Sequence, residues 1–327
     1  MNTDFLTRSL MFVPAHNDRL MQSASRSNAD ILLLDIEDSV QPEENKQVAR
    51  DKIVQYVKEG YFKNRILFPR INDRESGHLL KDVYQLAIEG VTGFMYPKAR
   101  CGEDIYFIGK LLETIEYDKG FAPGTFKLIP LIETTGAVMN IQDICNVSPR
   151  VVAVAFGCED YVTDLEGKHD LEGQSIFFAR NMIVNGAHNC GKAAVDTVHI
   201  RVHDLKDLEQ NLILSKKLGF DGMLILNPKE LPLCHQYYSP SEEEVAWAEE
   251  MVQLAEEAVR EGKGVAVKDN KFIGPPMLKM AREVLKKNDL CKTQRGGGKC
   301  LIINILGNKL LLGVPLCRFI GFERRAA

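Results

Sequence analysis

The sequence lacks most of the signatures that would settle its class at once. Its eight cysteines, at 101, 145, 158, 190, 234, 291, 300 and 317, form no CxxC pair and no other metal-ligand spacing. That weighs against zinc and against a disulfide framework, and for the reduced thiols of a cytoplasmic chain. No sign of charge dominates: 41 basic and 45 acidic residues leave a net charge of −4. No basic block is interleaved with aromatics, so a nucleic-acid partner is not indicated. The opening residues, MNTDFLTRSLMFVP, carry no basic segment ahead of a long apolar core, and no signal peptide is expected. The G-x-G-x-x-G fingerprint is missing after the first apolar run, which weighs against an open dinucleotide-binding sheet. The longest apolar run, CLIINILGNKLLLGVPLC, is broken by Asn304, Asn308 and Lys309. A membrane span needs about 20 predominantly apolar residues, and Asn and Lys within one are expensive, so no membrane partner is expected.

What is present is alternation. Short apolar runs fall at Ser9–Val13, Ile31–Asp35, Ile66–Arg70, Gly93–Pro97, Leu128–Glu133, Val151–Gly157, Thr197–Ile200 and Gly222–Leu226. Two of them, LIPLI and VVAVAF, are almost wholly apolar, as strands buried on both faces must be. Helical periodicity lies between the runs, over Glu43–Lys58, Gly77–Gly90 and Asp207–Leu218. Eight strand–helix alternations predict an α/β fold of the (β/α)8 TIM-barrel type over residues 1–235. Residues 236–290 read as a C-terminal helix and lid loop. Ser239, Pro240 and Glu242 supply a capping box and a first-turn proline. Val245, Ala248, Met251, Val252, Ala255 and Val259 form one apolar stripe. A Gly/Pro-punctuated loop, GKGVAVKDNKFIGPP, has the look of a hairpin, and a last helix is expected near Pro276–Lys287. Residues 291–327 form an atypical tail to which no role is assigned.

A barrel of this kind places its active site at the C-terminal ends of its strands. In ILLLDIEDSV a buried run ends in Asp35, followed at once by Glu37 and Asp38. Three acids so close repel one another unless something positive sits among them. Arg70 ends the third run, Lys98 follows the fourth, Glu133 ends the fifth and Asp160 follows the sixth. Glu133 and Asp160 together are a carboxylate pair of the kind that holds Mg2+ and leaves positions open for substrate oxygens. Arg70 is suited to gripping a carboxylate and stabilising an enolate, with Glu37 and Asp38 orienting it or a metal-bound water. Arg201 and His203 would end the seventh run and Asn227 the eighth. His16, His188, His199 and Cys158 read as structural.

The segments RSLMFVPA, LLLDIEDSV, PEENKQVAR, YPKA, PLIETTGAV, AFGCEDYVTDL, FARNMIVNGAHNCGKAAVDTV, GFDGMLILNPKEL, YSPSEEEVAWA and GKGVAV follow one another in that order. Taken together they resemble the HpcH/HpaI aldolase and citrate lyase β-subunit superfamily, above all its malyl-CoA and citramalyl-CoA lyase branch, over about Arg8 to Lys287. The resemblance implies Mg2+ on Glu133 and Asp160, and Arg70 as the contact to substrate and enolate. It implies that Arg8, Arg19 and Lys98 lie along the path of a CoA thioester, and that the chain assembles as a homotrimer or hexamer. It implies a carbon–carbon lyase that splits a β-hydroxyacyl-CoA into an acyl-CoA and a 2-oxo acid, or an aldolase for free 2-oxo acids. Two departures stand out. Where the family carries a lid aspartate, in an Asp-Gly-Lys-x-x-Asp loop, this chain reads DNKFIG and has Gly274. Where the family has His-Pro-x-Gln, it has Asn227-Pro228-Lys229-Glu230. A protein that keeps the metal and thioester site without turnover is therefore a third expectation.

Overall fold

The structure, a computed structural model, describes residues 5–170, 173–262, 266–268 and 271–295. The first four strands each lead into one helix: β1 (Ser9–Pro14) into α1 (Asp18–Ser25), β2 (Ile31–Asp35) into α2 (Asn45–Lys58), β3 (Ile66–Leu67) into α3 (Leu79–Leu86) and β4 (Gly93–Tyr96) into α4 (Gly102–Lys119). β5 (Lys127–Ile132) precedes the short α5 (Thr135–Met139) and α6 (Ile141–Asn146), and β6 (Ala153–Phe156) precedes α7 (Cys158–Asp164) and α8 (Gln174–Asn189). β7 (Ala193–Asp196) is followed by α9 (Leu205–Leu218), and β8 (Gly222–Ile225) by α10 (Leu231–Tyr238) and α11 (Glu242–Arg260). The strands run in the order β3-β2-β1-β8-β7-β6-β5-β4, and neighbours pair in parallel. This is the (β/α)8 barrel that the alternation predicts.

Arg70 closes the ring. Its backbone bridges Asp35 on one side and Met95 on the other. Arg70 N–H donates to the Leu34 carbonyl at 3.0 Å, and Met95 N–H to the Pro69 carbonyl at 3.0 Å. The same residue thus joins the last gap between strands and projects its side chain at the mouth.

Period-two alternation sorts each strand. Leu10, Ile31, Leu33, Ile66, Phe68, Met95, Ile129, Leu131, Ala153, Ala155, Ala193, Val195 and Leu224 form one cluster that fills the barrel. Their sequence neighbours, such as Leu32, Leu34, Leu128, Val154 and Ala194, belong to the layer between strands and helices.

Three expectations need correction. The seventh strand is Ala193–Asp196, not Thr197–Ile200. Branched Thr, Val and Ile favour strands, but Ala193, Ala194 and Val195 are small enough to be buried on both faces, and burial decides. Ser239 ends α10; the cap of α11 is Ser241. Ser241 Oγ accepts Glu244 N–H at 3.1 Å, and Glu244 returns the bond to Ser241 N–H at 2.8 Å. The last helix, α12 (Pro275–Arg295), crosses residue 291, where the tail was expected to begin.

The GKGV loop contains an antiparallel hairpin, β9 (Ala266–Lys268) with β10 (Lys271–Ile273). Ala248, Met251, Ala258, Ile273 and Ala281 give α11, the hairpin and α12 a small core of their own. No helix among the described residues is long and apolar enough to cross a membrane. The apolar run 300–317 lies outside the described residues.

Candidate active site

The inward parity of the strands carries on past the barrel core. Counting by two from Leu33, Phe68, Leu131, Ala155 and Val195 reaches Asp35, Arg70, Glu133, Gly157 and Thr197. The polar residues at the mouth thus continue rows that are apolar deeper down.

Arg70 is the hub. Its Nε and Nη2 donate to the two oxygens of Asp35 at 2.7 and 2.6 Å. Its Nη1 lies 2.9 Å from Glu37 Oε2 and 3.3 Å from Asp38 Oδ2. The guanidinium carbon sits 4.8 Å above the Phe12 ring. The three acids of ILLLDIEDSV therefore surround one cation, which offsets part of their mutual repulsion. Burial alone would raise the Asp35 carboxyl, but Arg70 overrides it and holds Asp35 below the usual carboxylate range. Glu37 behaves differently. Burial pushes it up to about 7 despite Arg70 and Lys98, and Asp38 adds to the rise. Its oxygens lie within ion-pair reach of both cations, yet neither receives a well-directed hydrogen bond. Lys46, which sequence reasoning passed over, is buried beneath them and bonds Asn72 Oδ1.

Glu133 is 2% exposed. Its single hydrogen bond among the described residues comes from Lys98 N–H, to Oε1 at 2.6 Å. Burial raises its carboxyl well above the ordinary value, and the charges of Glu37 and Asp160 raise it further. Asp160 stands exposed in the first turn of α7. A buried carboxylate with one spare oxygen, facing two like charges, is short of a cation. An all-oxygen donor set suits a hard one such as Mg2+. The residues fit the ion that the sequence implies. Close by, Cys158, Glu159 and His169 bring ligand atoms within 4.8 Å of one another, a grouping that the sequence spacing hid. Burial pushes the Cys158 thiol up to about 12.

Lys98 lies within the cluster, its Nζ 3.1 Å from Glu37 and 3.5 Å from Asp73. Burial opposes its charge, but Glu37 and Asp73 outweigh that and hold the ammonium above the ordinary lysine value. Arg19 is exposed in the first turn of α1, beyond the mouth end of β1. Arg8 does not join them. It precedes β1, so it lies at the opposite face of the barrel. Arg8 is 3% exposed, and its guanidinium spans both oxygens of Asp30, at 2.9 and 2.7 Å. A residue before a strand cannot reach the strand's far end, and the placement of Arg8 along a thioester path is corrected accordingly. Arg201 and His203 likewise lie several residues beyond the true end of β7, where Thr197 occupies the inward position.

The fold and the mouth together define a (β/α)8 barrel whose mouth gathers buried carboxylates around a clamped arginine. The model of the HpcH/HpaI aldolase/citrate lyase family matches residues 8–228, and the chain belongs to that family. It is 32% identical over 283 residues to the citrate lyase subunit beta of Escherichia coli (strain K12), covering 86% of this chain and 93% of that one. It is 28% identical over 289 residues to the mitochondrial citramalyl-CoA lyase of Homo sapiens, covering 85% and 84% of the two chains. Among solved structures it resembles CitE of Mycobacterium tuberculosis in complex with magnesium, acetoacetate and coenzyme A, with TM-score 0.66 and 25% identity over 88% of this chain and 100% of that one.

Proposed function

We propose that the chain is a Mg2+-dependent carbon–carbon lyase acting on a β-hydroxyacyl-CoA of the citryl-, malyl- or citramalyl-CoA type, releasing an acyl-CoA and a 2-oxo acid. The observation that carries this reading is the pairing of Glu133, a buried carboxylate with a spare oxygen, with Arg70 held rigid by Asp35. Family membership and the names of the relatives support it.

Glu133 and Asp160 would hold the ion. When bound, Mg2+ supplies Lewis-acid polarisation of the substrate's C–O group. Arg70 faces the charge that develops when the C–C bond breaks and its electron pair moves onto the thioester as an enolate. A guanidinium already oriented by a bidentate carboxylate costs no reorganisation at that moment. The proton lost from the substrate hydroxyl equals the one that the enolate carbon takes up, so cleavage needs no oxidant or reductant. Glu37, at about 7, is a carboxyl of the mouth able to take and return a proton near neutral pH. Arg19 and Lys98 are positive side chains at the mouth end for an anionic thioester. We place the protein in the cytoplasm as a homotrimer or hexamer; the six free cysteines among the described residues support a reducing compartment.

A second reading, a metal- and thioester-binding protein without turnover, is favoured by Gly274. Gly274 precedes α12, and its carbonyl accepts Met277 and Leu278 N–H. It has no side chain with which to move a proton. The deciding experiment is a mass-spectrometric assay on malyl-, citramalyl- and citryl-CoA with Mg2+ and with EDTA. Cleavage that requires Mg2+ and disappears in Glu133→Ala is the expected result. Mg2+-dependent retention of the thioester without cleavage would favour the second reading.

A further inference from the structure

We propose that Lys98 is a positioning residue for Glu133, and that it acts through its backbone amide, with its ammonium serving as the tether that keeps that amide in place. The proposal rests on the lyase reading for what Glu133 holds. How Glu133 is held is a matter of geometry.

Lys98 has φ of 53°. In this left-handed region the β-carbon of an L-residue crowds the backbone, so a lysine stays there only if its surroundings enforce it. Asn64 and Glu166 are the other non-glycine residues with positive φ among the described residues; Lys98 is the one whose amide meets a site carboxylate. Its N–H donates to Glu133 Oε1 at 2.6 Å. Its ammonium is anchored 3.1 Å from Glu37, which follows β2, and 3.5 Å from Asp73, which follows β3. These two anchors on neighbouring strand ends stretch the side chain across the mouth and oppose relaxation to negative φ.

Gly157 completes the arrangement from the other side. A β-carbon at that position would lie 2.8 Å from Glu133 Oε2 and 2.9 Å from Glu133 Cβ. Position 157 must therefore be bare for Glu133 to keep its rotamer. The carboxylate is clamped, with Oε1 on the Lys98 amide and Oε2 against the uncovered backbone of Gly157. Of the two oxygens, Oε2 is the one left for a cation.

The clamp separates two effects that removal of the lysine would otherwise confound. Lys98→Ala and Lys98→Gly lose the same charge. Alanine, without the tether, relaxes to negative φ and turns its amide away, whereas glycine occupies the left-handed region without help. Mg2+ binding to the full chain, measured by isothermal titration calorimetry with thermal melting as a check of folding, tests this. Gly157→Ala should weaken Mg2+ binding about 10–100-fold, the range for loss of a ligand's supporting contact. Lys98→Ala should weaken it about fivefold or more, while Lys98→Gly stays within about twofold of wild type. Equal shifts in the two Lys98 variants would overturn the proposal in favour of a plain charge effect. Unchanged binding in Gly157→Ala would overturn it as well. Wild-type and Glu133→Gln chains provide the separate control: if they do not differ in Mg2+ uptake, it is the metal assignment in the lyase reading that fails, and the clamp falls with it.

Discussion

The barrel has a buried arginine–aspartate pair at each end, and the two differ in what surrounds them. At the base, Arg8 bonds both oxygens of Asp30, its own N–H adds a third bond to that carboxylate at 2.8 Å, and its remaining Nη1 finds Ser239 Oγ at 2.8 Å. At the mouth, Arg70 makes the same bidentate fork with Asp35, but its Nη1 meets two further carboxylates, Glu37 and Asp38. Glu133 and Asp160 then add negative charge within reach. The base pair is complete in itself, whereas the mouth carries more carboxylates than its cations balance. The difference teaches that a buried ion pair marks no site. Acids left uncompensated around it do, because they need a charge that the chain does not supply.

The comparison breaks most visibly at the base. Asp30→Ala strands Arg8 in the interior and should cost about 3–5 kcal/mol of stability in urea unfolding, with Mg2+ binding by the folded fraction unchanged. A loss of metal affinity there would mean that the two ends are coupled. Arg70→Lys tests the other pole. A point charge cannot keep the fork to Asp35 while facing the substrate, so kcat/KM should fall roughly 10²–10³-fold in the thioester assay. Retained activity would reduce Arg70 to the structural role that Arg8 plays.

A smaller effect is expected at Glu230, fully buried just past β8 with neither oxygen well hydrogen-bonded among the described residues. Burial pushes its carboxyl up to about 7 from an ordinary 4.5. The folded value lies above the unfolded one, so the stabilisation tied to this proton is complete below about 4.5 and lost as pH rises through about 7. Glu230→Gln needs no proton. It should gain about 2–3 kcal/mol over wild type at pH 8 and nothing at pH 4, read as melting curves across pH. A gain that is equal at both pH values would rule out this origin. Smallest of all, Gly274→Asp puts a side-chain acceptor at the start of α12, where aspartate and glycine differ by only a few tenths of a kcal/mol. Its stability should barely move, so any turnover it gains would be chemical and would support the reading in which the wild-type chain binds without cleaving.

Much of this is legible in the residues alone. The apolar runs alternate with helical periodicity because each strand must bury two faces and each helix one, and those are properties of a few consecutive residues. The acids after β2, Arg70, Glu133 and Asp160 stood out because polar residues interrupt such runs at their ends. The seventh strand misled because Thr197, Val198 and Ile200 carry the branched side chains of a strand, while Ala193 and Ala194 look neutral until their close packing is known. The role of Arg8 misled because an arginine beside a strand looks the same at either end of it. Gly157 and the left-handed Lys98 left no readable trace, since neither a missing β-carbon's neighbours nor a φ angle is spelled by residue type.

The sequence by itself determined the barrel and the parity of its inward rows. Period two is set by the backbone, so Asp35, Arg70 and Glu133 were bound to share a face once their strands formed. Only the tertiary structure decided which charges meet. Arg70 is 35 residues from Asp35 and 32 from Asp38 along the chain, and Lys98 is 35 from Glu133. The strength of each interaction depends on a separation of a few ångströms and on the water that burial removes, and both exist only after the ring of strands has closed.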